Sequence, residues 1–254
     1  MEDDNLDKRG IPATRSKLTC VVDAATMTCP HPCWMIAYLF SCEHATCAVP
    51  VAFRELFRSS EERLVSPEGW EPGALNLAQA FSIKFRTQLV HGDVTRLLIN
   101  LDRDGDDRWS EFSLKLPEAT RVKLVDRHER PYRSLLKQRV TEDLVRHQAV
   151  IHVRIHTVPG EGELHLITAP GHVQAGKFAD EWRAALAQAG ISVRRSSDQV
   201  LSGLGAELAA AFEPDRYVPL TLEVSQSYFL EGKPLRWETL KKTLLATFGE
   251  TGLA

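Results

Sequence analysis

From residue 35 onward the apolar positions change their period again and again. Met35-Ile-Ala-Tyr-Leu-Phe is an unbroken apolar run of strand length. Residues 73–86 then place Ala74, Leu77, Ala78 and Phe81 on one helical face. Arg-Leu-Leu-Ile-Asn-Leu, residues 96–101, predicts a strand, and residues 133–147 carry Leu136, Val140 and Leu144 at helical spacing. Ala-Val-Ile-His-Val-Arg-Ile, residues 149–155, is β-branched and alternating, which predicts a strand. Gly160 and Gly162 mark the loop after it. A helix follows over 175–189, with Phe178, Trp182 and Leu186 inward and Gly190 ending it. A short strand (191–195), a short helix (204–212), a strand over 217–225 and a helix over 236–248 complete the series. Pro219 puts the strand 217–225 at an edge, or itself at the strand's start. Strands alternating with helices predict a single three-layer α/β/α domain with a mixed, mostly parallel sheet. Its expected span is residues 35–254. Residues 1–34 are polar or proline-interrupted and are expected to be a partly disordered extension.

Composition narrows the function classes. The chain has 254 residues, 43% hydrophobic and 26% charged, with a formal net charge of -3. That is ordinary for a globular domain and gives no basic footprint for nucleic acid or anionic lipid. No run approaches the roughly 20 apolar residues of a membrane span, and the acidic start Met-Glu-Asp-Asp-Asn is unlike a secretory signal. A cytoplasmic protein is expected. Cys20, Cys29, Cys33, Cys42 and Cys47 are odd in number and crowd the N-terminal side, which fits free thiols better than a disulfide framework.

Sites in open α/β sheets gather beyond the carboxyl ends of the strands. Three polar positions fall there: Ser-Cys-Glu-His (41–44), His156, and Glu223. Two histidines and a carboxylate from separate strand ends can converge on one ion, and a catalytic zinc takes three protein ligands with a fourth position for water. Two other segments have a superficial metal-binding look. Cys29-Pro-His31-Pro-Cys33 lacks the second cysteine pair of a zinc knuckle. Asp102-Arg-Asp104-Gly-Asp106-Asp107 lacks the spacing and closing glutamate of a calcium loop.

Six segments in order resemble the N-formylglutamate amidohydrolase family. They are Phe-Ser-Cys-Glu-His-Ala-Thr-Cys-Ala-Val-Pro (40–50), Trp-Glu-Pro-Gly-Ala (70–74), Thr-Arg-Leu-Leu-Ile-Asn-Leu-Asp-Arg (95–103), Pro131-Tyr132-Arg133, Ile-His-Thr-Val-Pro (155–159) and Leu-Glu-Val-Ser-Gln (222–226). The resemblance implies a fold and catalytic layout like those of zinc carboxypeptidases. It implies zinc, or another divalent metal, on His44, Glu71 and His156, with Glu43 the alternative carboxylate. It implies Glu223 as general base, Arg103 as clamp for a substrate carboxylate, and Arg96 as an aid to the developing oxyanion. This chain departs from the family pattern in places. Asn100-Leu-Asp102-Arg103 stands where the family has Asp-Leu-Asn-Arg, and Glu71 where it has Asp. These departures leave the metal chemistry in place and open the identity of the substrate.

The expected function is therefore metal-dependent hydrolysis of the C–N amide bond of a small N-acyl, or N-formyl, amino acid. Two other readings compete: a non-catalytic relative that binds a metabolite or protein, and a metallo-hydrolase of peptides or amidated cell-wall fragments. The oligomeric state is left open.

Overall fold

The structure, a computed structural model, describes residues 36–160, 164–197, 203–230 and 234–251. Residues 1–35, with the proposed extension and the Cys29–Cys33 segment, lie outside the described residues. Among the described residues there are six strands: β1 (Ile36–Cys42), β2 (Leu89–His91), β3 (Ala149–Val158), β4 (Leu164–Ile167), β5 (Val193–Ser196) and β6 (Tyr217–Ser225). Eight α-helices accompany them: α1 (Glu61–Val65), α2 (Ala74–Phe85), α3 (Glu118–Leu124), α4 (Arg130–Arg146), α5 (Val173–Gln188), α6 (Gly203–Ala211), α7 (Ser227–Leu230) and α8 (Pro234–Glu250).

The strands form one sheet in the order β2-β1-β3-β6-β4-β5. Every pairing is parallel except β4 against β6. Helices α2, α5 and α8 cover one face and α4 and α6 the other, so the three-layer α/β/α reading with a mixed, mostly parallel sheet holds. β3 lies between β1 and β6 and is buried along nearly its whole length. Its alternation divides the molecule. Ile151, Val153 and Ile155 join an aromatic core with Phe40, Phe81, Trp182 and Phe248. Val150, on the other face, joins Leu39, Leu136, Val140 and Leu208. Further along that second face come His152, Arg154 and His156.

The structure corrects one expectation and decides another. Residues 96–101 are not a strand. Leu98 and Ile99 donate their amides back to Thr95 O, while Asn100 donates to Arg108 O. Leu97, Leu98, Ile99 and Leu101 are nonetheless buried, so the apolar run reflects a folded-back core loop. Of the two places that Pro219 allowed, an edge strand or the start of a strand, the second holds: β6 is interior and Pro219 lies near its start. β4 pairs only with Thr221–Val224, so Pro219 sits where β6 has no neighbour on that side and its missing N–H costs no ladder bond. β2 and β4, for which the sequence held no expectation, are strands of only three and four residues, too short to show a period.

Candidate metal centre

Beyond the end of β1 the chain turns at Glu43 and His44. Gly92 makes that turn possible, because a Cβ there would come within 2.0 Å of Glu43 O. The segment before α2 is tied to the same turn by Glu71 N donating to His44 O at 2.9 Å. Gly73 then opens α2 at φ 86, a left-handed conformation that suits glycine, with the Phe229 ring 2.8 Å from where a Cβ would sit. These two close approaches bring Glu71 between His44 and His156.

All three side chains are buried, and one ligand atom from each lies within 4.8 Å of the others. His44 turns Nδ1 to Glu71 Oε1 at 2.9 Å, and His156 turns Nδ1 to Glu71 Oε2 at 3.0 Å. The opposite ring nitrogens also face acceptors. His44 Nε2 lies 2.9 Å from Asn100 Oδ1, whose orientation is fixed by the Asp102 amide donating to that oxygen at 3.0 Å. His156 Nε2 lies 3.2 Å from Glu43 Oε2.

This double facing tests whether a cation fits. A neutral imidazole carries one N–H. If each ring gives that hydrogen outward from Nε2, both Nδ1 lone pairs meet the Glu71 carboxylate and only a positive charge between them makes the contacts favourable. Two nitrogens and a carboxylate oxygen are a zinc donor set, and ligating imidazoles typically donate their far N–H to a carboxylate or other acceptor. The residues present fit a divalent ion. The same preference raises His156 well above its ordinary pKa: burial opposes protonation, but the Glu71 and Glu43 carboxylates outweigh it. Glu71 shows the converse. Burial pushes its pKa up, and the two imidazoles more than reverse this, holding it well below the usual carboxylate range.

Glu43 is close to His156 but belongs to a different environment. It lies on the Nε2 side of the ring, away from the Nδ1 atoms that converge with Glu71, and it accepts from Tyr132 Oη at 3.1 Å and Ser41 Oγ at 3.2 Å. Arg154 Nε donates to it at 3.4 Å and also pairs with Asp102. Burial is the largest influence on Glu43, yet Arg154 and His156 keep its pKa well below the usual range. Behind Ser41 stands His152, whose pKa burial lowers to about 3. The neutral ring completes an ordered chain: Tyr217 Oη donates to Nδ1 at 2.7 Å, and Nε2 donates to Ser41 Oγ at 2.9 Å.

The register sets Glu223 of β6 opposite His156 of β3. Directly paired residues project from the same face, with strands about 4.8 Å apart. Glu223 therefore lies on the same face of the sheet as His156, its carboxylate bonded to His165 Nδ1 at 3.1 Å. The two arginines are placed otherwise. Arg96 gives its guanidinium to Glu71 Oε1 at 3.2 Å, to Glu68 O at 3.1 Å and to Pro67 O, so it holds the Glu71 segment rather than an open position beside it. Arg103 is exposed, and its carbonyl accepts from Arg133 Nη2 at 2.5 Å. Arg154 and His165 escaped the sequence reading, and Asn100 and Tyr132 were noted there only as parts of motifs, with no role. For Arg154 there was a signal, since polar residues at every second position of a β-branched strand mark one wet or charged face.

A mixed α/β sheet with a buried His–Glu–His cluster beyond its parallel strand ends defines the class: an α/β protein whose cluster could hold one metal ion. The family follows from comparison. A family model described as N-formylglutamate amidohydrolase matches residues 36–230, and the chain belongs to that family, a family of amidohydrolases. Among solved structures, gene product Atu2144 from Agrobacterium tumefaciens aligns with TM-score 0.67 and 22% identity, covering 84% of this chain and 88% of that one. N-formylglutamate amidohydrolase from Ralstonia eutropha aligns with TM-score 0.60 and 18% identity, covering 83% and 90%. A search of curated proteins gave no significant match. Among the described residues no helix is long and apolar enough to cross a membrane.

Proposed function

We propose that the protein is a metal-dependent amidohydrolase cleaving the C–N bond of a small N-acyl amino acid, with zinc or a similar divalent ion on His44, Glu71 and His156. The observation that carries this reading is the convergence of those three side chains, each imidazole backed on its far nitrogen by an acceptor. When bound, the ion would supply Lewis-acid polarisation of the acyl carbonyl and make water a stronger acid. The protein's own residues supply the rest. His44 and His156 keep their orientation through Asn100 and Glu43, and Arg96 and the Thr157 amide, 3.3 Å from Glu71 Oε2, fix the carboxylate. Glu223 takes the proton from the attacking water and delivers it to the leaving nitrogen, which departs as an amine. Arg103, exposed at the tip of its loop, is the residue that would meet a substrate carboxylate.

One observation favours a second reading, a relative that binds without turnover. Asp102, at the position next to Arg103, is occupied by the buried Arg154, so the loop differs in charge from the pattern it resembles.

Metal analysis and hydrolysis of a panel of N-formyl and N-acetyl amino acids by wild type, His156→Ala and Glu223→Gln separate these readings. His156→Ala is expected to lose the ion. Glu223→Gln is expected to keep it while turnover falls by about 10²–10⁴-fold. A metal-loaded wild type that hydrolyses nothing in the panel would move the assignment to the binding protein, and equal rates for wild type and Glu223→Gln would remove Glu223 as base.

A further inference from the structure

The polar row that carries His156 continues past Glu223. β4 runs against β6 and sets His165 opposite Glu223, and β5 sets Arg194 opposite His165. His165 is buried and fully engaged: Nδ1 is 3.1 Å from Glu223 Oε2, Nε2 is 2.8 Å from Ser196 Oγ, and Arg194 Nη2 is 3.2 Å from the same Nδ1.

A neutral imidazole can satisfy these neighbours in two ways. With hydrogen on Nδ1, it donates to Glu223 and accepts from the Ser196 hydroxyl. With hydrogen on Nε2, it donates to Ser196 and accepts from Arg194, leaving a lone pair against the Glu223 carboxylate. The first arrangement contains a charge-assisted hydrogen bond to an anion, roughly twice as strong as a neutral one. The second replaces it with a repulsive contact. Arg194 is exposed and can be hydrated, whereas the Glu223 side chain is only 27% exposed. The balance favours hydrogen on Nδ1.

We propose that His165 is a positioning residue for Glu223. It fixes the carboxylate by donating to Oε2, which leaves Oε1 to receive the proton of the attacking water, and the Ser196 hydroxyl accommodates that tautomer by donating to Nε2. The proposal rests on Glu223 acting as the general base. In the reversed strand β4, the antiparallel pairing with β6 sets His165 level with Glu223.

The test compares zinc-loaded wild type, His165→Leu and His165→Asn on the N-acyl amino acid that wild type hydrolyses fastest. Asn keeps a donor near the Nδ1 position, whereas Leu fills the space without one. His165→Leu is expected to lower kcat about 10–100-fold, the usual range for losing an outer-shell partner, with KM and zinc content little changed. His165→Asn is expected to restore most of that loss. In a Glu223→Gln background, His165→Leu should add almost nothing. Equal losses for Asn and Leu, or no loss with Leu, overturn the proposal. Imidazole ¹⁵N spectra of the unmutated protein give a readout that needs neither turnover nor a folded variant. His165 is expected to carry its hydrogen on Nδ1, and the Nε2 tautomer overturns the proposal. If wild type hydrolyses nothing, the catalytic reading falls by itself, and the tautomer still decides whether His165 holds Glu223.

Discussion

β3 has one face that excludes water and one that organises charge, and the two are built by opposite means. On the first, Ile151, Val153 and Ile155 meet rings packed around Phe248, whose centroid lies 4.9 Å from Trp182, 5.0 Å from Phe85 and 5.3 Å from Phe81. Apart from the Trp182 Nε1–H, which donates to Thr247 Oγ1 at 3.0 Å, these side chains carry no polar group, so the energy comes from buried area and close packing. On the second, His152, Arg154 and His156 are as deeply buried, yet each depends on a named neighbour. A face of this second kind contributes little net stability, because desolvation offsets most of the Coulomb gain. Its return is geometry: two imidazoles and a carboxylate held in one arrangement. The packed core and the candidate site thus lie on opposite sides of the same strand.

Phe248→Ala breaks the first face and should have the largest effect on stability. It removes the ring at the centre of the aromatic cluster, at a cost of about 3–5 kcal/mol, the range for large-to-small core changes. Urea unfolding checks the loss, and metal analysis of the folded fraction should show the ion retained. A loss of ion together with stability would show that the faces are not independent.

Arg154→Met sharpens the comparison from the other side. It strands Glu43 and Asp102 without their cation, and breaking a buried pair in this way costs about 3 kcal/mol or slightly more. Adding Glu43→Gln should return part of it, about 1–2 kcal/mol, because the stranded charge is then gone. The double-mutant cycle measures that coupling. Strict additivity of the two changes would mean that the pair does not interact.

The two faces were unequally legible in the sequence. The apolar one announced itself, since Ala74, Leu77, Ala78 and Phe81 at helical spacing and Phe178, Trp182 and Leu186 after them are read directly from period. His44, Glu71 and His156 could be named from motif order, and the structure brings them together. The partners of the polar face could not, because Arg154–Asp102 and Tyr132–Glu43 join residues 52 and 89 positions apart, and no local pattern encodes such a meeting. His165 was hidden for a different reason. A strand of four residues has no measurable period, and its reversed direction depends on tertiary pairing alone. The run 96–101 misled because a buried apolar loop and a buried strand have the same composition.

The smallest predicted effect concerns His152, and it isolates the polar face by pH. Burial holds this imidazole neutral, with its pKa lowered to about 3 from the usual 6.5. The unfolded chain exposes it, and there it takes up a proton below about pH 6.5. Between those two values the unfolded state therefore binds more protons than the folded one. Stability then rises with pH through this window, so acidification is destabilising. At about 1.4 kcal/mol per pH unit, the loss between pH 6.5 and pH 5 is roughly 1.5–2 kcal/mol. His156 does not oppose this within the window. Its folded pKa is raised, so its stabilising contribution is already fully present below the unfolded value. Glu43 and Glu71 have folded pKa values below the ordinary range, so their contributions fade mainly below about pH 4.5, outside the window. His152→Gln removes the titration while keeping a polar side chain between Tyr217 and Ser41. Urea unfolding of both proteins at pH 6.5, 5.8 and 5.0 should show a slope in wild type that is largely flattened in the variant. Parallel slopes would mean that His152 is protonated in the folded protein, and the ordered chain from Tyr217 through Ser41 to Glu43 would then be wrong.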